Sequence, residues 1–420
     1  MAEIKPLTAL HYDLERAGPL QELIAPPYDV IDPEERERLA ARSPYNVVHL
    51  DLPVGNGSDP YEQAAQTLER WRDEGAVVLD TTTAIWALTQ EFTDPTGARR
   101  TRSGFLTAVR VEDYGEGRIR PHERTHPGPR EDRLRLTRAT RANLSPIFAL
   151  YDDPRGISWG ELAAHTVGPP FGQATGDDGT VNRVWRVEHE EALDAVELAL
   201  QGTELLIADG HHRYETAHVY ADEVGGEGPH RWVLMCLVAL QDPGLALYPT
   251  HRLVRGVDPE GLANAIRRDF DIEEISREEL VPGAPGPDGR IVMGYMDSHF
   301  KRAFRLTLKD PAIADRVLEG RSEPYRRLDT ALLEALILRA ALGMTDDDIA
   351  HLEGLGYARD YDEAVALVLD GTYDVGFFMG PVDVGHVRAV AAAGENMPAK
   401  STFFAPKVPT GLVFNPLSNG

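Results

Sequence analysis

The feature that most constrains the fold of this chain is a short apolar run that turns at a glycine and continues as a helix. Residues 203–208 have the pattern of a buried strand, Asp209 and Gly210 follow, and residues 213–224 have the pattern of a helix. A strand that enters a helix through a tight turn is a unit of folds that combine sheets with helices. The sequence therefore predicts a strand, a loop at Asp209 and a helix that starts at this loop.

The residues of this loop favour the binding of an anion. The N-terminus of a helix presents backbone N–H groups, and Gly210 allows a ligand to approach the backbone closely. His211, His212 and Arg213 add side-chain donors, and a guanidinium can hold two phosphate oxygens. Asp209 would repel a bare phosphate, so we predict that it holds a magnesium ion that bridges to the phosphates. One alternative is that Asp209 only caps the helix and that the two histidines lie on the surface. Another is a zinc site, but adjacent histidines lack the i, i+4 spacing of helical zinc ligands.

The remaining segments fit a mixed α/β (α+β) fold. Strands are predicted at residues 83–89, 103–111, 145–151 and 232–240, and helices at 62–74, 190–201, 259–270, 325–342, 346–352 and 362–369. Asp32 is predicted to cap a helix that begins at Pro33. We predict three regions, namely an N-terminal α/β region (1–80), a phosphate-binding core (81–255) and a helical C-terminal α/β region (256–420) whose tail forms a functional loop.

Charge and composition exclude several classes of protein. Asp and Glu number 68 against 43 Lys and Arg, a formal net charge of -25, which disfavours nucleic acid and anionic lipid as partners. The first residues lack the pattern of a signal peptide, and no run is apolar and long enough for a membrane span. The single cysteine, Cys236, lies in an apolar run and is expected in the core. We expect a cytoplasmic protein without membrane or nucleic-acid partners, and a homo-oligomer stays open.

An arginine-rich segment at residues 118–141 stands out against the acidic whole. Within it, His122 is a candidate for substrate contact, although loop histidines face solvent more often. Arg133 is a candidate phosphate ligand, although arginines of a helix starting near Glu131 more often form a solvated face.

Two further candidates come later in the chain. His251 and Arg252 end a predicted strand, where functional groups often gather, and are candidates for substrate binding. Lys400, in the tail, is a candidate phosphate ligand, although no glycine-rich loop precedes it and it is therefore not part of a Walker motif.

Five separated motifs carry a resemblance to a known family. They are Ala25-Pro26-Pro27-Tyr28-Asp29-Val30-Ile31, Ser43-Pro44-Tyr45-Asn46, His122-Glu123-Arg124-Thr125, the stretch from Asp209 to Tyr214, and Met397-Pro398-Ala399-Lys400-Ser401-Thr402. In this order they resemble the bacterial and archaeal domain-of-unknown-function family numbered 1015, whose name implies no chemistry.

The central strand, the Gly-x-x-Arg loop and the helix are similar to the ParB/sulfiredoxin superfamily, where this loop holds nucleotide phosphates. His211 stands where sulfiredoxin has its catalytic cysteine, which excludes sulfiredoxin chemistry. The Asp-Gly-His-His-Arg form resembles the free-serine kinases of the superfamily, and this resemblance implies that Glu123 is the base. A kinase needs such a carboxylate near the acceptor hydroxyl, and the surrounding arginines would keep Glu123 ionised. The alternative is a surface ion pair of Glu123 with Arg120 or Arg124.

The leading hypothesis is a nucleotide-dependent phosphotransferase that acts on a small hydroxyl compound, with free L-serine as the best single candidate and a place in serine metabolism. It implies magnesium and a nucleotide donor, ATP or ADP, with pyrophosphate left open, and its partners are the nucleotide and the small substrate. A second hypothesis is a nucleotide-binding regulatory switch without kinase activity, and a third is a structural protein with a vestigial pocket.

Overall fold

The computed structural model describes residues 2–55, 57–95, 97–115, 118–123, 127–283 and 290–418, and the account below concerns these residues. They form two compact units. The first comprises Met1–Ala246 together with Pro406–Gly420, and the second comprises Leu247–Ala405.

The strands are named in chain order. They are β1 (Ile4–Lys5), β2 (Leu10–Tyr12), β3 (Val77–Leu79), β4 (Ile85–Thr93), β5 (Arg99–Arg110), β6 (Ile119–Arg120), β7 (Ala142–Asn143), β8 (Ile147–Tyr151), β9 (Gly172–Thr175), β10 (Val181–Val187), β11 (Leu205–Asp209), β12 (Trp232–Ala239), β13 (Ala246–Tyr248), β14 (His251–Val254), β15 (Phe270–Ile275), β16 (Val292–Asp297), β17 (Ala303–Leu308), β18 (Leu355–Ala358), β19 (Val375–Phe378), β20 (Phe403–Ala405) and β21 (Asn415–Pro416).

The α-helices are α1 (Leu14–Ala17), α2 (Leu20–Leu23), α3 (Pro33–Arg42), α4 (Val48–Asp51), α5 (Pro60–Asp73), α6 (Pro127–Thr140), α7 (Ile157–Ala163), α8 (Glu190–Leu200), α9 (His211–Val224), α10 (Pro259–Asp269), α11 (Pro311–Val317), α12 (Glu323–Arg326), α13 (Asp329–Leu333), α14 (Asp346–His351), α15 (Tyr361–Leu369) and α16 (Val384–Ala392). Short 3-10 turns lie at Tyr28–Val30, Pro229–Arg231 and Arg277–Glu279, and a π-helical stretch, Glu334–Arg339, continues α13.

The first unit is built on one mixed sheet with the strand order β6-β11-β8-β12-β5-β4-β10-β9, and β1 pairs with one end of β5. β6 runs parallel to β11 and β8 runs parallel to β12, whereas the other neighbours are antiparallel. The central strands are buried on both faces, as a sheet covered by helices requires. β11 lies beside the edge strand β6 and runs parallel to it. The carboxyl end of β11, at Asp209, is therefore on the same side of the sheet as the end of β6.

The second unit has its own antiparallel sheet, in the order β15-β17-β16-β19-β14-β18. A separate apolar core covers it, with side chains from α10, α13 and the π-helical stretch. Each unit therefore has its own sheet and its own apolar core.

The mixed α/β class is confirmed by this architecture. The helix cap at Asp32 also forms, since its carboxylate accepts from Glu35 N at 2.8 Å and Pro33 is the first helical residue. Cys236 is fully buried in β12, and burial raises the pKa of its thiol to about 12. Within the described ranges, none of the helices has the length and apolar character that crossing a membrane requires.

The two units have different boundaries from the three regions that the sequence predicts. The first 80 residues join the core because β1 adds to its sheet through β5. The last residues also return to the first unit, because β21 pairs with β7. The tail is therefore divided: residues 397–405 belong to the second unit and residues from Pro406 onward belong to the first.

Candidate functional site

The strand, glycine turn and helix at Asp209 form as the sequence predicts. β11 ends at Asp209, Gly210 has φ of 92°, and α9 begins at His211. A Cβ at residue 210 would lie 2.9 Å from Arg213 Nε, so both the positive φ and the close contact require glycine. The first backbone bond of the helix runs from Tyr214 N to Gly210 O at 3.0 Å. The N–H groups of residues 211–213 therefore have no acceptor within the helix and face the loop.

Asp209 sits between two cations. Its Oδ2 accepts from Arg213 Nη2 at 2.5 Å, and its Oδ1 accepts from Lys407 Nζ. Burial favours the neutral form of Asp209, but Lys407 and Arg213 outweigh it and hold the pKa of the carboxyl below its ordinary value. Two cations thus flank the Asp209 carboxylate at the N-terminus of α9, where the helix dipole also favours an anion.

Arg213 is held from several sides. Its Nη1 donates to Ser145 Oγ at 2.8 Å and to the Pro146 carbonyl, while Nη2 binds Asp209. Ser145 Oγ also accepts from Thr410 Oγ1 at 2.8 Å. The guanidinium therefore binds the two residues that precede β8, and Ser145 connects it to Thr410 of the C-terminal segment.

His122 and His211 form a buried pair beside Asp209. Their rings lie 4.6 Å apart in an edge-to-face arrangement, and His122 N donates to His211 Nε2 at 3.3 Å. His122 Nδ1 lies 2.6 Å from the Ile207 carbonyl, which can only accept, so this nitrogen carries the proton. Burial lowers the pKa of His122 to about 4 and lowers that of His211 well below its ordinary value. Both rings are therefore neutral at pH 7.

Glu123 follows His122 directly and is half-buried. The parallel pairing of β6 with β11, Ile119 with Leu205 and Arg120 with Leu206, carries the chain along β11 towards the Asp209 loop. Arg120 is paired with Glu204 at 2.6 Å. The other residues of this motif, Arg124 and Thr125, lie outside the described residues, so an ion pair of Glu123 with Arg124 stays a prediction.

Arg133 is placed inside the first unit, with two carboxylates. Its Nη1 binds Asp51 Oδ1 at 2.9 Å, its Nη2 binds Asp132 Oδ2 at 2.6 Å, and its guanidinium lies 4.2 Å from the Tyr28 ring centroid. These contacts favour a structural ion pair over the phosphate binding predicted for Arg133. A cavity of about 40 Å³ beneath the loop is lined by Asp51, Arg133 and Arg213, among others.

His251, Arg252 and Lys400 lie in the second unit, whereas the Asp209 loop lies in the first. Arg252 is buried in β14, and its guanidinium donates to the carbonyls of Thr250 and, at 3.1 Å, Ala399. His251 Nδ1 accepts from Met379 N at 3.2 Å. Lys400 is exposed. The contacts of His251 and Arg252 are those of a packed interior.

Magnesium binding at Asp209 has little support from its surroundings. Both carboxylate oxygens already accept from cations, and a third positive charge would be repelled by Lys407 and Arg213. In the part of the chain that the structure describes, no three His, Cys, Asp or Glu side chains cluster in a way that would hold a metal. Magnesium on Asp209 stays a prediction.

Lys407 is the residue of this site that the sequence did not indicate. It is 198 positions from Asp209, and no local motif surrounds it. The tail was singled out for Lys400, seven residues earlier, because Lys-Ser-Thr is similar to part of a known motif. Only the return of the last residues to the first unit reveals Lys407 as the lysine at the loop.

Comparisons with known proteins give a family and several distant folds. A family model described as "Protein of unknown function (DUF1015)" matches residues 4–331. Among solved structures, a conserved hypothetical protein from Pyrococcus furiosus is 15% identical, with a TM-score of 0.35 over 70% of this chain and 89% of that one. A mutant free serine kinase in complex with ADP is 13% identical, with a TM-score of 0.36 over 70% and 89%.

C-terminally truncated SbnI from Staphylococcus aureus is 13% identical, with a TM-score of 0.36 over 73% of this chain and 85% of that one. No curated protein matches the sequence. The identities and TM-scores are too low for these structures to say what this chain does.

Proposed function

The chain belongs to the DUF1015 family, whose description gives no activity, and from the residues at Asp209 we propose that it is a nucleotide-dependent phosphotransferase acting on a small hydroxyl compound. In this scheme Gly210, His211, His212 and Arg213 form the phosphate loop. The donor is a nucleotide, ATP or ADP, and free L-serine is the best single acceptor.

One observation carries the proposal: the N-terminus of α9, two cations and a glycine that has no room for a side chain meet at one point. The N–H groups of residues 211–213 lie at the N-terminus of α9, and Lys407 and Arg213 flank Asp209 beside them. Such a concentration of donors suits a group with several negative oxygens.

We assign the role of the base to Glu123. The acceptor hydroxyl oxygen attacks the terminal phosphorus of the donor, the bond from phosphorus to the bridging oxygen breaks, and the shortened nucleotide leaves. The hydroxyl proton passes to the Glu123 carboxylate. The contact of His122 with His211 supports this assignment, because Glu123 is the next residue in the chain after His122. His122 is then a residue that shapes the site, since its ring is buried and neutral.

Serine as the acceptor rests on the similarity of Asp-Gly-His-His-Arg to the loop of free-serine kinases. If magnesium accompanies the nucleotide, it supplies positive charge to the phosphate oxygens. The phosphate-binding groups proposed above, from Gly210 to Arg213, all belong to the protein.

A nucleotide switch is the second candidate, and one contact favours it. Lys407 links Asp209 to the C-terminal segment, so a phosphate that binds Lys407 would change the contacts of Asp209 without any chemistry. A switch binds nucleotide and releases at most a hydrolysed nucleotide, whereas a kinase also releases a phosphorylated acceptor.

The test is an assay of the purified full-length chain with magnesium, with ATP, ADP or pyrophosphate as donor and a pool of small alcohols that includes L-serine. Mass spectrometry should find an acceptor that has gained one phosphate, and the protein with Glu123→Gln serves as the matched control. Nucleotide binding without any phosphorylated acceptor would reject the kinase and leave the switch.

A further inference from the structure

The first of the five family motifs, residues 25–31, is placed next to the phosphate loop by the C-terminal segment. Ala25 and Thr410 exchange two backbone hydrogen bonds, of 2.9 and 3.1 Å. Thr410 Oγ1 donates to Ser145 Oγ at 2.8 Å, and Ser145 Oγ also accepts from Arg213 Nη1 at 2.8 Å. A continuous series of hydrogen bonds therefore leads from this motif to the arginine of the phosphate loop.

The backbone of the motif is held without help from the Tyr28 side chain. The two prolines before Tyr28 have φ angles fixed by their rings, and a 3-10 turn begins at Tyr28 directly after them. Asn46, the last residue of the second family motif, is fully buried, and its Nδ2 donates to the carbonyls of Glu22 at 2.7 Å and Ile24 at 3.2 Å. The second motif thus supports the segment that leads into the first.

Arg133 supports the ring of Tyr28. Its guanidinium carbon lies 4.2 Å from the ring centroid, a distance at which a cation is attracted to an aromatic face. The same guanidinium binds the carboxylates of Asp51 at 2.9 Å and Asp132 at 2.6 Å, and both Arg133 and Asp51 are buried. The ring of Tyr28 therefore rests on a group that is itself fixed by two ion pairs.

The Tyr28 hydroxyl forms no hydrogen bond among the residues that the structure describes, although Tyr28 is half-buried. Burial raises the pKa of this hydroxyl to about 12, and the positive charges that oppose the rise are Arg213, with the larger effect, and Arg133. The hydroxyl is thus protonated at pH 7 and lies close to the arginine of the phosphate loop. A neutral O–H donor beside a guanidinium suits an oxygen that carries negative charge.

Tyr61 is a tyrosine of the same kind whose hydroxyl is bound within the protein. It is also half-buried, and the guanidinium carbon of Arg135 lies 4.4 Å from its ring centroid. Its hydroxyl donates to Asp132 Oδ1 at 2.7 Å, and Asp132 is one of the two carboxylates that bind Arg133. Tyr28 and Tyr61 are thus supported alike, but the hydroxyl of Tyr28 is left for a ligand.

We propose that Tyr28 is a ligand contact of the phosphate-loop site, and that its hydroxyl donates a hydrogen bond to an anionic oxygen of the bound ligand. This oxygen belongs either to a phosphate of the nucleotide or to the carboxylate of an amino-acid acceptor such as L-serine, and the experiment separates the two sources. The inference rests on the proposed function, because it names a further contact of the same site.

Tyr28→Phe keeps the ring on Arg133 and removes the hydroxyl alone. Loss of a hydrogen bond to a charged oxygen should weaken binding of the contacted ligand by about 10- to 100-fold. The unfolding temperature should stay that of the wild type, because no hydrogen bond within the described residues is lost. Tyr61→Phe is the matched control. It loses the bond to Asp132, so it should unfold at a lower temperature and bind both ligands as the wild type does.

The experiment is a calorimetric titration of the full-length wild type and of the two variants with ADP, and then, with ADP saturating, with L-serine. Thermal unfolding is measured for each protein. If Tyr28→Phe binds ADP more weakly than Tyr61→Phe does, the hydroxyl contacts phosphate. If it binds L-serine more weakly, the hydroxyl contacts the acceptor carboxylate. Either result supports the proposal.

The contrary outcomes separate the two levels of the account. A wild type that binds neither ADP, ATP nor pyrophosphate overturns the proposed function and the Tyr28 contact together. If the wild type binds ADP, and Tyr28→Phe binds ADP as tightly and L-serine no more weakly, the contact alone is overturned. The contact is also overturned if Tyr28→Phe is destabilised as much as Tyr61→Phe, because the hydroxyl would then be bonded within the protein.

Discussion

The two units each hold a cluster of cationic and histidine side chains that the sequence predicts as a site, and they hold it in different ways. At the Asp209 loop, Arg213 and Lys407 share a carboxylate at a helix N-terminus, and Asp209 and Gly210 are half-buried. At β14, Arg252 is 3% exposed, and its guanidinium donates to the backbone carbonyls of Thr250 and Ala399.

The difference concerns what a ligand would have to replace. A ligand that removed Arg252 from its carbonyls would leave buried acceptors unsatisfied, which costs about 1–3 kcal/mol for each group. At the Asp209 loop, Arg213 and Lys407 instead bind a carboxylate side chain, which is itself an anion. Clusters that are alike in sequence therefore differ in the kind of group that their cations bind.

The largest effect that tests this comparison is on turnover in the first unit. Glu123→Gln is nearly isosteric but cannot accept a proton, so we expect turnover to fall by about 10²- to 10⁴-fold with little change in nucleotide affinity. Steady-state kinetics of product formation and a nucleotide titration measure the two quantities. Wild-type turnover in the variant would remove Glu123 from the chemistry, and a variant that does not fold would indicate a structural ion pair.

The next effect separates the two arginines. Arg252→Met should lower the free energy of unfolding by about 2–5 kcal/mol, because two buried carbonyls lose their donor, and should leave ADP affinity unchanged. Arg213→Met is the matched change in the first unit and should weaken ADP binding as well. Urea unfolding and calorimetry follow both. Loss of ADP affinity in Arg252→Met would give the second unit a part in binding.

Acid sensitivity should be shared by both units. Burial lowers the pKa of His122 and that of His251 to about 4, from about 6.5 in an unfolded chain. The unfolded state then binds more protons below pH 6.5, so stability is complete above this pH and falls as the pH decreases towards 4. Between pH 7 and pH 5 each histidine should cost about 2 kcal/mol.

Urea unfolding at the two pH values measures this loss, and His122→Gln and His251→Gln should each reduce it. An unchanged pH dependence in both variants would mean that these rings are not held neutral.

The smallest effect concerns the glycine of the loop. Gly210→Ala places a Cβ 2.9 Å from Arg213 Nε at a φ of 92°, and the backbone strain alone should lower stability by about 1–2 kcal/mol. Because Arg213 must also shift, ADP binding should weaken. Gly225→Ala, at a φ of 70° with no atom within 4 Å of the added Cβ, is the control, and it should lower stability but leave ADP affinity unchanged. Equal ADP affinities in both variants would show that the Gly210 contact is not needed for binding.

Local patterns were sufficient where the physical cause is local. The Asp32 cap, the strand before Asp209, the glycine turn and the following helix all depend on neighbours within a few residues, and they form as predicted. The family also follows from short motifs kept in order. The helix predicted at residues 325–342 is instead divided, because Leu328 is extended and a π-helical stretch follows α13.

The partners of the charged residues could not be predicted, because ion pairs join distant parts of the chain. Asp209 and Lys407 are 198 positions apart, and Arg133 and Asp51 are 82 apart. Neither pair has a spacing that a sequence pattern reveals. Because Arg133 lies in an arginine-rich segment, the sequence made it a candidate phosphate ligand. In the structure its guanidinium binds two carboxylates, those of Asp51 and Asp132.

The most direct test of the central claim is a crystal structure of the full-length protein with ADP. The account predicts a phosphate oxygen within hydrogen-bond distance of the backbone N–H groups of residues 211–213. ADP bound away from Gly210 would contradict it.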